Sequence, residues 1–406
     1  MSAASLHRSR LPLAEIFAVP MAVDPATDKL WLRLERLPYR DQAALVQSDK
    51  SFHTARFCMR LAQLSLVAST VNAAITVELA SLAVRISDRL SGLDPRSLYD
   101  LRALCLALLG HGRGILGEAK SAGDAFDEAD AALAAGSGDP AVEAEVVTLE
   151  AFLHGSQRRF GEAASLLDRF LDLSPAPKGA AASSSGRGGT VQVMVFKGWC
   201  LYHMGEPAAC LSLLEEAEGQ VGDGERGRSA SLAIRTGRVW CALALGDLPM
   251  AERRLAAARD LANRHHDRAE LLRLRHVEAR LRLAQGGRED AETALRRAAS
   301  GLAKLKLGSH AALALLDLVT ISDGEIEDLL PLGWGEILAT FEGGEAHLEY
   351  LVFLLAAALK GGQLTAEAIE AYSSALAVAR PPWLQWWSPW RGPLGGMATD
   401  VALPCV

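Results

Sequence analysis

The 406-residue sequence predicts an all-α protein, a right-handed superhelical solenoid of antiparallel helix pairs, and three observations predict it. A triplet of core-type residues at i, i+4 and i+7 returns five times between Ala122 and Ala298, the spacing of one helix face. A glycine stands five residues ahead of four of these triplets, at Gly117, Gly205, Gly246 and Gly286, where one helix must reverse into the next. Half of the residues are hydrophobic but only 6% are aromatic, with Ala and Leu dominant, the balance of helices packed on helices.

The triplets are Ala122, Phe126, Ala129; Ala163, Leu167, Phe170; Cys210, Leu214, Ala217; Ala251, Leu255, Ala258; and Ala291, Leu295, Ala298. From Ala122 to Ala163 is 41 residues, to Cys210 a further 47, to Ala251 41 and to Ala291 40. A helix pair cannot hide its apolar faces alone, so each pair must stack on the next. The small first and last members let the second helix approach its neighbours closely, and the bulky middle residue fills the gap. The best copy adds Leu106, Leu109 and Gly110 on its first helix, and the whole has the spacing of a tetratricopeptide repeat (TPR). The period near 40 exceeds the roughly 34 residues of the minimal repeat, so helices or turns are longer.

In chain order, residues 1–26 read as a flexible N-terminal leader, and residues 27–95 as a degenerate N-terminal helical unit. Its apolar positions suggest one helix over 28–46, interrupted near Pro38, then a pair over 51–66 and 71–90. The TPR-like solenoid occupies 96–380. It is interrupted by a flexible loop over 174–190, whose Gly, Ser and Pro residues cannot bury enough surface to order it. After Ala298, residues 310–321 read as a helix, 325–341 as its poor partner, and 348–378 as a last pair. Residues 381–406 form a Trp-rich C-terminal tail, in which Pro381-Pro382 stops the last helix and Trp383, Trp386, Trp387 and Trp390 follow. That tail reads as an end cap, a segment folded back into the groove, an interfacial anchor, or a non-native end.

Composition excludes several classes of function. A formal net charge of −7 gives no general nucleic-acid signal, so no direct nucleic-acid partner is expected. Six scattered cysteines without a Cys-x2-Cys pair suit buried thiols and a reducing cytoplasm rather than a metal or disulfide framework. The apolar stretch 11–23 is broken by Glu15 and Pro20, and no segment is long enough to span a membrane. Phosphate-loop, kinase and serine-hydrolase signatures are absent, and His265-His266 lacks metal-ligand partners at convincing spacing. Neither an enzyme nor a cofactor or metal site is expected.

Residues 54–381 resemble the TPR regulatory proteins and regulator C-terminal regions of bacteria. The resemblance is carried by Glu78-Leu-Ala-Ser-Leu-Ala-Val-Arg-Ile, Ala122-Gly-Asp-Ala-Phe-Asp-Glu-Ala, Arg158-Arg-Phe-Gly-Glu-Ala and Ala311-Ala-Leu-Ala-Leu-Leu-Asp-Leu. It implies a cytoplasmic interaction scaffold in transcriptional regulation or signalling, with a protein or peptide partner held in a concave groove. No helix-turn-helix precedes Thr54, so the scaffold is the part of the resemblance that carries over.

In such solenoids the first helix of each pair lines the groove. Eleven residues before each triplet stand His111, Phe152, Trp199, Trp240 and Arg280, with Tyr202, His203, Thr236, Arg273 and His276 at neighbouring groove positions. This reads as an aromatic track leading into a basic end, suited to an extended segment with an acidic terminus. The structural alternative is that Trp199 and Trp240 are inter-helix packing. The basic run from Arg253 to Arg268 is interleaved with acids and reads as a solvated helical face.

Overall fold

The computed structural model describes residues 25–321, apart from 70–71, 117, 158, 174–183, 222–224 and 306–307. Among the described residues there are fifteen α-helices and no strand. They are α1 (Pro25–Leu34), α2 (Tyr39–Ser48), α3 (Ala55–Ala68), α4 (Ala73–Ser87), α5 (Pro95–Ile115), α6 (Ala119–Ala135), α7 (Pro140–Ser156) and α8 (Phe160–Leu173). There follow α9 (Ser184–His203), α10 (Pro207–Gln220), α11 (Glu225–Ala244), α12 (Leu248–Arg264), α13 (Arg268–Ala284), α14 (Arg288–Lys304) and α15 (Gly308–Ile321).

Local chemistry sets the helix ends. Asp94, Asp139, Asp247, Asp267 and Asn72 sit at N-caps, where each side chain accepts a hydrogen bond from a first-turn amide. Four turns share one closure: the amide of Glu206, Asp247, Asp267 or Gly287 donates five residues back, to the carbonyl of Leu201, Ala242, Ala262 or Arg282. The residue before each donor is left-handed, Gly205 (φ 84°), Gly246 (φ 76°), His266 (φ 53°) and Gly286 (φ 88°). This is the Schellman ending, and three of its four sites carry the glycine that φ requires. His265-His266 therefore belongs to a turn.

The triplets form the core as expected. All fifteen side chains are at most 6% exposed. Glycines on facing helices take the remaining space: a Cβ on Gly110 would come within 2.8 Å of the Phe126 ring, and one on Gly237 within 2.7 Å of Leu214. Adjacent helices pack in sequence, α5 on α6, α7 on α8 and α13 on α14, while α5 also meets α7, the next first helix.

The chain divides into two compact units, residues 1–197 with 220–227 and residues 198–219 with 228–406. In the first, one core joins Trp31, Phe52, Phe57, Leu61 and Ile86 to Leu101 and Cys105 of α5, so α1–α4 share their interior with the first clear repeat. A second core gathers Leu106, Phe126, Val146 and Leu149. In the second unit the core runs through Val239, Leu255, Leu274 and Leu281.

Two sequence expectations are refined. The helix expected over 28–46 with an interruption near Pro38 has that interruption, and the break is complete: α1 and α2 are separate helices, and the ring of Pro38 cannot continue the first. Within the stretch 174–190 expected as a loop, α9 starts at Ser184 and takes in the Gly-rich half, while 174–183 lie outside the described residues. Val191, Val193 and Met194 are buried and anchor that helix. Extending an existing helix backwards adds a hydrogen bond per residue, which poor helix formers tolerate where nucleation would fail. The leader up to residue 24, the helices expected after residue 321 and the Trp-rich tail lie outside the described residues.

Two glycine substitutions should have opposite signs. Gly110→Ala puts a methyl against the Phe126 ring and 3.1 Å from the Ala122 carbonyl, so urea unfolding should show a loss of about 1–3 kcal/mol. Gly123→Ala, on an open face of α6, should add up to about 1 kcal/mol through helix propensity.

Candidate functional site

The residues expected to line the groove all lie on first helices, His111 on α5, Phe152 on α7, Trp199, Tyr202 and His203 on α9, Thr236 and Trp240 on α11, and Arg273, His276 and Arg280 on α13. In the first unit His111 meets Phe152 edge-on at 6.2 Å between ring centroids, and Phe152 stacks on Phe196 at 4.5 Å. Phe196, one turn before Trp199, was not among the expected positions. Gly155 makes room for it, since a Cβ there would stand 2.6 Å from its ring. His111 is buried and its Nε2 has no hydrogen-bond partner. Burial holds its imidazole down to about 4, so it is neutral at physiological pH.

The second unit carries a longer series. Trp199 and His203 rings lie 3.9 Å apart, Tyr202 meets His203 at 5.4 Å and Trp240 at 6.2 Å, and Trp240 meets His276 edge-on at 5.5 Å. Arg280 places its guanidinium 4.9 Å from the Trp240 ring centroid, within cation–π range. The contacts cross three consecutive first helices, α9, α11 and α13. Trp199 keeps 42% of its surface exposed, while Tyr202, His203 and Trp240 are half-buried. Burial pushes the Tyr202 hydroxyl up to about 12, so it stays protonated.

The basic end of the track is already answered by acids of the same unit. Asp317 of α15 accepts two hydrogen bonds from Arg280, one of them 2.9 Å from Nη2 to Oδ1, and its Oδ2 lies 2.7 Å from His276 Nε2. Burial alone would raise the Asp317 carboxyl, but the Arg280 charge and the His276 contact hold it down at about 2. Glu270, also buried, accepts from the Thr236 hydroxyl at 2.5 Å and from Arg273 Nη1 at 3.0 Å. The expected acceptor for an acidic ligand end is thus an internally paired charge network. Sequence reasoning missed Asp317 and the role of Glu270. Asp317 lies 37 residues from Arg280, and Glu270 looks like an ordinary first-turn acid of α13.

The other candidate chemistry resolves into packing. Arg254 pairs with Glu215 at 3.2 Å and Arg259 with Glu278 at 2.6 Å, so this basic run braces neighbouring helices. Cys210 and Cys241 bring their Sγ atoms to 3.2 Å, and Cys58 and Cys105 to 3.5 Å, all four as buried thiols. Among the described residues no group of three His, Cys, Asp or Glu side chains could hold a metal ion, and no helix is long and apolar enough to cross a membrane.

No protein-family model matches the sequence, and no curated protein matches it either. The fold does have solved counterparts. A Rap protein complexed with competence and sporulation factor superposes with a TM-score of 0.57 at 12% identity, over 81% of this chain and 88% of that one. The Rap conjugation gene regulator of the plasmid pLS20, in complex with the Phr* peptide, gives 0.53 at 13% identity, over 84% and 86%. The likeness is one of fold: this chain is an all-α, TPR-like helical-repeat protein.

His111 makes the fold sensitive to acid. Its folded value near 4 lies below the ordinary 6.5, so its contribution is complete above pH 6.5 and is lost as pH falls towards 4. The loss amounts to about 3 kcal/mol at most. Glu145, raised to about 7 by burial and by the Asp139 charge, works in the opposite direction over an overlapping range. The difference between wild type and His111→Gln isolates the histidine. Urea unfolding from pH 7 to pH 4 should show the gap in stability between them shifting towards the variant as pH falls.

Proposed function

We propose that this protein is a non-enzymatic interaction scaffold that holds an extended peptide or protein segment on the aromatic face of its first helices, in a cytoplasmic regulatory setting. The observation that carries the reading is the ring series Trp199, His203, Tyr202, Trp240 and His276, which crosses three successive helices yet leaves indole and phenol surface open. Aromatic side chains supply large contact area with few rotors to freeze, which suits a recognition surface. The His203 ring adds a polar group to the face, in keeping with the mixed character of peptide grooves. Direct nucleic-acid binding has no part in this reading.

A second reading is a sensor, in which a small peptide binds and changes the curvature of the repeat array. It is favoured by the two solved structures of like fold, since each is described in complex with a factor or peptide. The two readings share one surface and differ in the size of the guest.

Affinity capture on the purified full chain from bacterial extract, read by mass spectrometry, separates them: a protein partner supports the scaffold, a co-purifying peptide of a few residues the sensor. In either case Trp199→Ala with Trp240→Ala should weaken the captured species about tenfold or more without loss of helicity. Capture unchanged in that variant would remove the aromatic face from the binding surface. Arg280 is left intact here, because its loss would strand the buried Asp317 carboxylate and confuse binding with folding.

A further inference from the structure

We infer that the aromatic face of the second unit takes an uncharged, apolar segment and turns away an acidic one, with Asp317 and Glu270 setting that selectivity. The inference rests on the peptide-holding reading above and names the chemistry of its guest.

Charge is the first consideration. Among the candidate residues of this face the cationic side chains are Arg273 and Arg280, with His276 between them. Each has a carboxylate of the protein within hydrogen-bonding distance: Glu270 for Arg273, Asp317 for both Arg280 and His276. Two guanidiniums thus stand against two carboxylates. The carboxylates are also the more buried partners, with side chains 7% and 6% exposed against 32% for Arg273 and 28% for Arg280. A guest carboxylate that reached either arginine would meet a guanidinium whose charge is already balanced by an acid of the protein. It would also sit beside a like charge, the arrangement proteins use to reject a partner.

What is left open is aromatic. Trp199 offers the largest exposed surface, backed by His203 at 3.9 Å, with Tyr202 and Trp240 continuing it. The outer face of Trp240 is also partly spoken for, since Arg280 already lies over its ring. At Trp240 a basic guest therefore gains no unshared indole, and Glu270 and Asp317 offer it no uncompensated acid. Aliphatic side chains at alternate positions of an extended segment fit such a surface by removing apolar area from water.

The test is panning of a random heptapeptide library displayed on phage against the full chain, with sequencing of the recovered clones. Expected is a depletion of Asp and Glu by about threefold or more against the input library, with Leu, Ile, Val, Met and Phe enriched. Recovery should fall about tenfold on Trp199→Ala. Asp317→Asn and Glu270→Gln, each checked for native helicity, should raise the share of acidic clones. Where a variant does not fold, the wild-type composition decides alone. Enrichment of Asp and Glu, or of Lys and Arg, on the wild type overturns the inference while leaving peptide holding intact. Recovery no better than on Trp199→Ala for every clone overturns both.

Discussion

The structure depends on how closely one helix backbone can approach the next. Ala122, Ala163, Cys210, Ala251 and Ala291 are each at most 2% exposed, and each offers its neighbour little more than a methyl or a thiol. Across the contact stand glycines with no side chain, such as Gly110 against Phe126 and Gly198 against Leu214. A side chain that is absent on one helix is matched by one that is large on the other. Interiors packed to crystal density respond to a single added methylene, so this interlock specifies the stacking more sharply than hydrophobicity would. The Schellman turns then fix where each helix reverses, and with it which residues of the first helices are left outside the core.

Those leftover positions explain the character of the candidate site. A first helix that spends one stripe on its partner and another on the preceding pair has a third stripe to dispose of. In the second unit that stripe carries rings and guanidiniums. The rings contact each other, and the guanidiniums are steadied by acids from α13 itself and from α15. Arg280 is held by both kinds of contact, a paired carboxylate on one side and an indole face on the other. The arrangement is polar in composition and nearly neutral in charge, and its most exposed ring is that of Trp199.

Much of this was legible in the sequence because the repeat writes the same message five times. The triplet spacing, the glycines before it and the turn positions gave helix pairs, core residues and the helices that carry the site. Two kinds of information were not local. The ring that stacks on Phe152 is Phe196, and a fixed count back from the triplet points one turn away, to Trp199. A helix presents both residues on nearly the same face, so spacing alone does not choose between them. Asp317 was invisible for a different reason. It sits in an apolar run outside the five copies, and only the folded chain brings it to Arg280 and His276. Charge partners set by tertiary contact have no period to read. The loop boundary failed for a third reason, since composition at Ser184–Thr190 speaks against nucleating a helix but not against lengthening one.

The cores of the two units have a consequence for how the chain reaches its native state. Each is assembled from residues near one another along the chain: Trp31 to Cys105 in one, Ala62 to Leu153 in the next, Leu232 to Leu281 in a third. Such low contact order favours rapid formation, because little loop entropy is lost before the first apolar contacts are gained. It also means that adjoining stretches can zip up from more than one starting point, each new pair templated on the last. A newly synthesised chain could therefore bury its first helices while the later ones are still being made.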